Sequence, residues 1–139
     1  LNMVYSVVDG AMYDEFQQRV YAEPDLTGAR ACEIFKELYA EYGYTPYDGY
    51  EHEWMSISHN FEYPFYYISY AVSALAALEI FGTLQTDPEK AVDDYLTVEA
   101  MDGESCYFSE ALSDAGLADV FDAATYKNVA GVLDAAFSG

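Results

Sequence analysis

Apolar residues recur every three or four positions along most of the chain, a spacing that predicts amphipathic helices. The first such stripe runs from Leu1 to Val20 and ends before Pro24. A second follows Thr27, whose side chain can cap a helix, and ends at Gly43. No alternating pattern is long enough to indicate a β-strand. The first 43 residues therefore predict two helices, and the stretch "GYTPYDGY" after them predicts turns.

The most hydrophobic segment runs from about Tyr63 to Gly82 and is apolar on almost every side, which predicts a central, buried helix. Asp87 is a suitable cap for the next helix, with proline at its first position. A short helix closed by Gly116 and an amphipathic helix over about residues 120–137 follow. The pattern predicts a single all-α domain over residues 1–139, built as a bundle of about six helices.

The charge of the chain restricts its partners. Five Lys and Arg residues stand against 25 Asp and Glu residues, which gives a formal net charge of −20. Because such a surface repels phosphate groups, we expect no binding to nucleic acid or to anionic membranes. The acidity could attract basic peptides or cations, but a solvated acidic surface is the simpler interpretation.

Other sequence features concern the cellular setting. Cys32 and Cys106 are too few and too far apart for a disulfide framework, which favours free thiols and a cytoplasmic location. No apolar stretch is long enough to span a membrane, and no signal peptide is visible. Because the chain starts at Leu1 within a helical pattern, we expect it to be a fragment of a longer polypeptide.

The stretch "EHEWMSISHN" resembles the beginning of a zinc-peptidase helix but lacks its second ligand. In the motif His-Glu-x-x-His, two histidines one turn apart bind one ion. Here Ser56 follows His52 at that distance, and the next histidine is His59. On a continuous helix these imidazoles would lie about 10 Å apart along the axis. This stretch therefore does not predict a complete zinc site.

A histidine and several tyrosines form a second candidate site. If Pro64 starts a helix, four tyrosines fall on one of its faces, with His59 on the preceding loop; these tyrosines are Tyr63, Tyr66, Tyr67 and Tyr70. Phenol and imidazole groups can donate hydrogen bonds to an oxyanion, although they cannot generate a nucleophile. The competing interpretation is a core face, because tyrosines at helical spacing more often pack in the interior.

Several stretches in order resemble one peptidase family. They are "MYDEFQQRVYAEPDLT", the tryptophan at position 54, "ISHNFEYPFYYISYAVSALAA" and "GESCYFSEALSDAGL". Together they are similar to the C-terminal part of the oligoendopeptidase F branch of the thimet-oligopeptidase-like zinc metallopeptidases. The resemblance covers nearly the whole chain, and its most specific block runs from His59 to Ala71.

The resemblance implies a mostly helical zincin-type peptidase with two lobes around a deep channel. Zinc is its cofactor, and the zinc ligands lie upstream of this region, so the chain alone is expected to bind no zinc and cleave no peptide. His59 matches the family histidine, Tyr70 the second helical tyrosine, and either Tyr66 or Tyr67 the first. We assign His59, Tyr67 and Tyr70 to oxyanion stabilisation, and Tyr63 and Tyr66 to substrate binding.

The expected partners are an oligopeptide substrate and the upstream, zinc-bearing part of the same polypeptide. Two other hypotheses remain open: a non-catalytic helical module that binds peptides, and a packing domain with buried tyrosines. An isolated fragment would also expose the apolar face that normally packs on the rest of the enzyme, so we expect a tendency to form homodimers.

Overall fold

The computed structural model describes residues 2–138, which contain seven α-helices, one 3₁₀-helix and no β-strand. In chain order the helices are α1 (Asn2–Tyr21), α2 (Gly28–Glu41), the 3₁₀-helix (Tyr50–Ser56), α3 (His59–Glu62), α4 (Ile68–Leu84), α5 (Pro88–Glu99), α6 (Phe108–Asp114) and α7 (Ala123–Phe137). The predicted all-α class is confirmed. Two of the helices, the 3₁₀-helix and α3, were not predicted, since they are short and lie in a stretch of mixed polarity.

The chain divides into two compact units, residues 1–71 and residues 72–139, and the division falls within α4. No helix among residues 2–138 is long and apolar enough to cross a bilayer. Both cysteines, Cys32 and Cys106, are half-buried free thiols.

The first unit is held together by an aromatic core between α1 and α2. Phe16 and Phe35 meet edge to face, with ring centroids 5.5 Å apart, and Trp54 of the 3₁₀-helix packs against Phe16 at 5.5 Å. Helix α2 begins where the Thr27 hydroxyl accepts a hydrogen bond from the Arg30 backbone N–H, at 3.1 Å. The predicted cap is thus confirmed. Burial of these rings, together with aliphatic side chains such as Ile34 and Leu38, stabilises the unit.

Helix α1 comes very close to the first turn of α4 at Gly10. A Cβ atom added at this position would lie 2.7 Å from Ala71 Cβ and 2.9 Å from Ala71 N. Because a backbone atom is involved, the clash cannot be relieved by a side-chain rotation. Glycine is therefore required here for close packing.

We expect Gly10→Ala to lower the free energy of unfolding by about 1–2 kcal/mol, since the strain of overpacking exceeds the gain in helix propensity. Gly28→Ala is the control, because nothing lies within 4 Å of a Cβ atom there. Chemical denaturation should show Gly28→Ala unchanged or slightly stabilised. Equal stability of the two variants would contradict the close approach.

In the second unit, the predicted helix boundaries are confirmed by their caps. The Asp87 carboxylate accepts a hydrogen bond from the Lys90 backbone N–H at 3.1 Å, and α5 begins at Pro88. Helix α6 ends at Asp114, and its C-cap Ala115 is followed by Gly116, which has a φ of 72°. The core of this unit contains buried aliphatic side chains from α4, α6, α7 and the segment before α7, among them Leu75, Leu78, Leu112, Val120 and Val129.

The predicted start of the long apolar helix near Tyr63 is wrong. Helix α4 begins at Ile68, and residues 63–67 form a turn after α3. Phe65 has a φ of 63°, in the left-handed region that interrupts a right-handed helix. Its backbone N–H donates a hydrogen bond to the side chain of Gln17 instead of to a helical carbonyl.

Candidate functional site

A buried polar network fixes α3, the short helix that begins at His59, whereas the sequence predicted a loop at this histidine. The Gln17 amide of α1 donates to Asn60 Oδ1 at 3.0 Å, and its oxygen accepts from the Phe65 N–H. Asn60 in turn donates to the Trp54 carbonyl at 2.8 Å. Gln17 is only 1% exposed and Asn60 7%, so both amides are satisfied inside the protein. The network ties α3, through Asn60, and the following turn, through Phe65, to α1 and the 3₁₀-helix.

All four predicted tyrosines contact His59. The Tyr66 ring stacks on the imidazole with centroids 5.3 Å apart, and Tyr67 and Tyr70 meet it edge to face at 5.6 and 5.7 Å. Tyr63 is tilted against it at 6.2 Å. The tyrosines do not share one helix face as predicted, since only Tyr70 lies on α4. The turn brings the other three to the same histidine.

Tyr70 and His59 also approach through their polar atoms. The Tyr70 hydroxyl lies 3.5 Å from His59 Nε2, at the outer limit of a hydrogen bond. Either group can donate, depending on the imidazole tautomer. A carbonyl oxygen of a ligand placed between them could therefore receive hydrogen bonds from both groups.

His59, Tyr67 and Tyr70 line an open cleft of about 360 Å³ in the first unit. The remaining lining residues are Ser6 and Asp9 of α1 together with Ser56, Ile57 and Ser58. Tyr63 and Tyr66 are not among them. The three residues assigned to catalysis therefore line the cleft, whereas the two assigned to substrate binding lie outside its lining.

The tyrosines do not form a core face. Tyr63, Tyr66 and Tyr70 are 62%, 51% and 43% exposed, and only Tyr67 is half-buried among them. Packing within the unit does not explain why three of the four tyrosine rings are exposed to solvent. The described structure therefore does not favour the hypothesis of a domain with buried tyrosines.

The surroundings of Tyr67 disfavour its phenolate form. Burial raises the pKa of the Tyr67 hydroxyl above its ordinary value, and the negative charge of Asp9 raises the same pKa further. Its ring also packs on Tyr13 at 5.0 Å. A phenol with a raised pKa stays protonated at neutral pH and can donate a hydrogen bond.

We expect Tyr67 to titrate above the ordinary tyrosine pKa of about 10, because burial and Asp9 both disfavour the phenolate. Its contribution to stability is present below about pH 10 and is lost as the pH rises through the higher pKa of the folded state. NMR titration of ring-labelled tyrosine, assigned with Tyr67→Phe, measures this pKa. Asp9→Asn should lower it and Asp14→Asn should not; equal midpoints in both variants would contradict the role of Asp9.

The described residues do not fit a zinc ion. His52 lies exposed on the 3₁₀-helix, whereas His59 begins α3, so no continuous helix joins them. Within residues 2–138, no group of three or more His, Cys, Asp or Glu side chains is arranged to hold a metal ion.

Three residues around the cleft were missed by sequence reasoning: Asp9, Gln17 and Asn60. The burial of Gln17 could have been predicted from the sequence, since it follows Tyr13 by four residues and so shares the buried face of α1. A buried glutamine on such a face requires polar partners. Asp9 and Asn60 carried no signal, because nothing local shows which side chains they meet.

Comparison of the chain with protein-family models, with curated proteins and with solved structures found no match in any of the three. The family suggested by the resemblance of the residues therefore stays a prediction.

Proposed function

We propose that the chain is the C-terminal part of the catalytic domain of a zinc-dependent oligopeptidase, within a larger helical zincin-type enzyme. Its part in the reaction is to bind the oligopeptide and to stabilise the oxyanion through His59, Tyr67 and Tyr70. The observation that carries this proposal is that the imidazole and both phenols line one cleft, with the centroids of the two phenol rings 5.6 and 5.7 Å from that of the imidazole.

The chemistry of peptide hydrolysis explains why such donors are useful. Negative charge develops on the carbonyl oxygen of the scissile peptide bond as the bond is attacked. Donors that are already oriented stabilise this charge without reorganising during the reaction. The Gln17 network supports this orientation, since it anchors α3, which begins at His59, and the following turn through two buried amides.

Exposed aromatic residues extend the proposed binding surface beyond the cleft. Tyr63 and Tyr66 contact His59 from outside the lining, and Phe61 and Phe65 are 59% and 47% exposed. Such rings offer stacking and apolar contacts to peptide side chains. Tyr63 and Tyr66 are therefore proposed to bind the substrate rather than to act on it.

The zinc ion and its ligands belong, on this proposal, to the upstream part of the same polypeptide. The chain by itself is proposed to bind peptides without cleaving them. Hydrolysis of a quenched fluorogenic peptide by the natural polypeptide that carries this chain, with and without a chelator, tests this. We expect cleavage that the chelator abolishes and zinc restores, whereas cleavage that persists after complete removal of metal would contradict the proposal.

A non-catalytic peptide-binding module is the second candidate, favoured by the same exposed aromatic surface, which needs no metal to bind a ligand. It predicts peptide binding without hydrolysis in the natural polypeptide, with an affinity that a chelator leaves unchanged. Chelator-sensitive hydrolysis would rule it out.

A further inference from the structure

We propose that the cleft contains a cation subsite at Asp9, so that its peptide ligand presents an ammonium or guanidinium group to this carboxylate. The inference rests on the proposed function only in taking the ligand to be a peptide. The inference adds two points to that function: a preference for positively charged peptides, and Asp9 as the residue that determines this preference.

Asp9 is placed to meet a ligand that also reaches the tyrosines. It lies on α1, three residues after Ser6, and both side chains line the same cleft as His59, Tyr67 and Tyr70. The Tyr44 hydroxyl donates a hydrogen bond to Asp9 Oδ1. This contact orients the carboxylate without neutralising its charge.

The charge of Asp9 has no basic partner in the part of the chain that the structure describes. Four of the five Lys and Arg side chains form ion pairs with other carboxylates; they are Arg19, Arg30, Lys36 and Lys90. Among the described residues, no ion pair involves Asp9. The carboxylate is half-buried, so water screens it less than a fully exposed charge. A ligand cation would give this carboxylate a charged partner in addition to the Tyr44 hydroxyl.

The effect of this charge extends to the aromatic residues around it. Burial is the main cause of the raised pKa values of Tyr44 and Tyr67, and Asp9 raises both further. A positive group near Asp9 would therefore lie in a favourable field within the cleft.

The cleft thus offers a negative acceptor on α1 together with neutral donors on Tyr67 and Tyr70. A peptide complements both, because it carries carbonyl oxygens for the donors and a cation for the acceptor. Two parts of a peptide can supply that cation: the amino-terminal ammonium, or the side chain of a lysine or arginine. Both cations would pair with the Asp9 carboxylate in the same way, so peptides that differ in only one of them are needed to tell the two sources apart.

Equilibrium binding of fluorescent peptides to the natural polypeptide, measured by polarisation with chelator present to prevent hydrolysis, tests the proposal. One pair of peptides differs in a free or acetylated amino terminus, and a second pair has lysine or norleucine at one position. We expect the cationic member of at least one pair to bind about fivefold more tightly, as for a partly screened charge pair. The pair that discriminates identifies the source of the cation.

Asp9→Asn should remove this preference, so that the charged and neutral members of each pair bind with equal affinity. Asp14→Asn is the matched control, since it removes the same charge from α1 at a residue outside the cleft lining. Tyr44→Phe removes the hydroxyl that orients Asp9 but keeps the negative charge, so it should retain most of the preference. Asp9→Glu, which keeps the charge, should do the same.

Equal affinity of wild-type protein for the charged and neutral peptides of both pairs would overturn the cation subsite without reference to any variant. An equal loss of preference in Asp9→Asn and Asp14→Asn would also overturn it, since the net charge would then be the cause. The two proposals can fail separately. A preference for charged peptides without hydrolysis would contradict the proposed peptidase function and support the cation subsite. Chelator-sensitive hydrolysis without such a preference would support the peptidase function and contradict the cation subsite.

Discussion

His59→Ala is expected to lower kcat for peptide cleavage by the natural polypeptide about 100-fold, and Tyr70→Phe about 10- to 100-fold, with smaller changes in KM. These losses lie at or below the low end of the about 100- to 1,000-fold loss typical of removing one oxyanion donor. The reason is geometric, since both groups line the cleft and the Tyr70 hydroxyl lies 3.5 Å from His59 Nε2. Because they would share one oxygen, the double variant should lose less than the product of the single losses.

Matched substitutions separate this effect from a general loss of structure. His52→Ala changes an exposed histidine of the 3₁₀-helix, and Tyr95→Phe removes the hydroxyl of a tyrosine of α5 that is 51% exposed. Both should retain normal kcat. His59→Gln, which keeps an N–H donor, should retain more activity than His59→Ala if hydrogen bonding is the relevant property.

A different set of results would support the packing hypothesis. In that case His59→Ala and Tyr70→Phe would reduce the melting temperature but leave kcat per folded molecule unchanged. Turnover should therefore be normalised to the folded fraction, measured by circular dichroism. Unchanged turnover in both folded variants would contradict the assignment of these residues to oxyanion stabilisation.

Gln17→Ala is expected to lower the free energy of unfolding by about 3 kcal/mol, a larger cost than for most single substitutions. Gln17 is 1% exposed, and its removal leaves the Asn60 oxygen and the Phe65 N–H without their partner. An unsatisfied buried polar group costs about 1–3 kcal/mol, and the cavity adds to that.

The neighbouring glutamine provides the control for this prediction. Gln18 is exposed and bonds only to Asp14 on the same helix among the described residues, so Gln18→Ala should change the stability by less than about 0.5 kcal/mol. Chemical denaturation of both variants measures the difference. Gln17→Ala should also weaken peptide binding, since the network anchors α3, the helix that begins at His59. Equal stability of the two variants would contradict a structural role for the buried amide.

The helix boundaries show what the sequence by itself determined. Thr27 and Asp87 cap their helices through a backbone N–H three residues further along, and Gly43 and Gly116 take positive φ values where α2 and α6 end. These signals can be read from the sequence because cap and partner lie within one turn of each other. The stripes of apolar residues likewise predicted α1, α2 and α7.

The candidate site shows what only the tertiary structure decided. The sequence placed His59 and four tyrosines within twelve residues, and the structure does bring them together. The turn through Phe65 was not predictable, because its N–H bonds to Gln17, 48 residues earlier, and this long-range bond competes with the local preference for helix. Asp9 joins the cleft for the same reason: helix α1 packs beside a loop 50 residues further along, and local periodicity does not encode that contact.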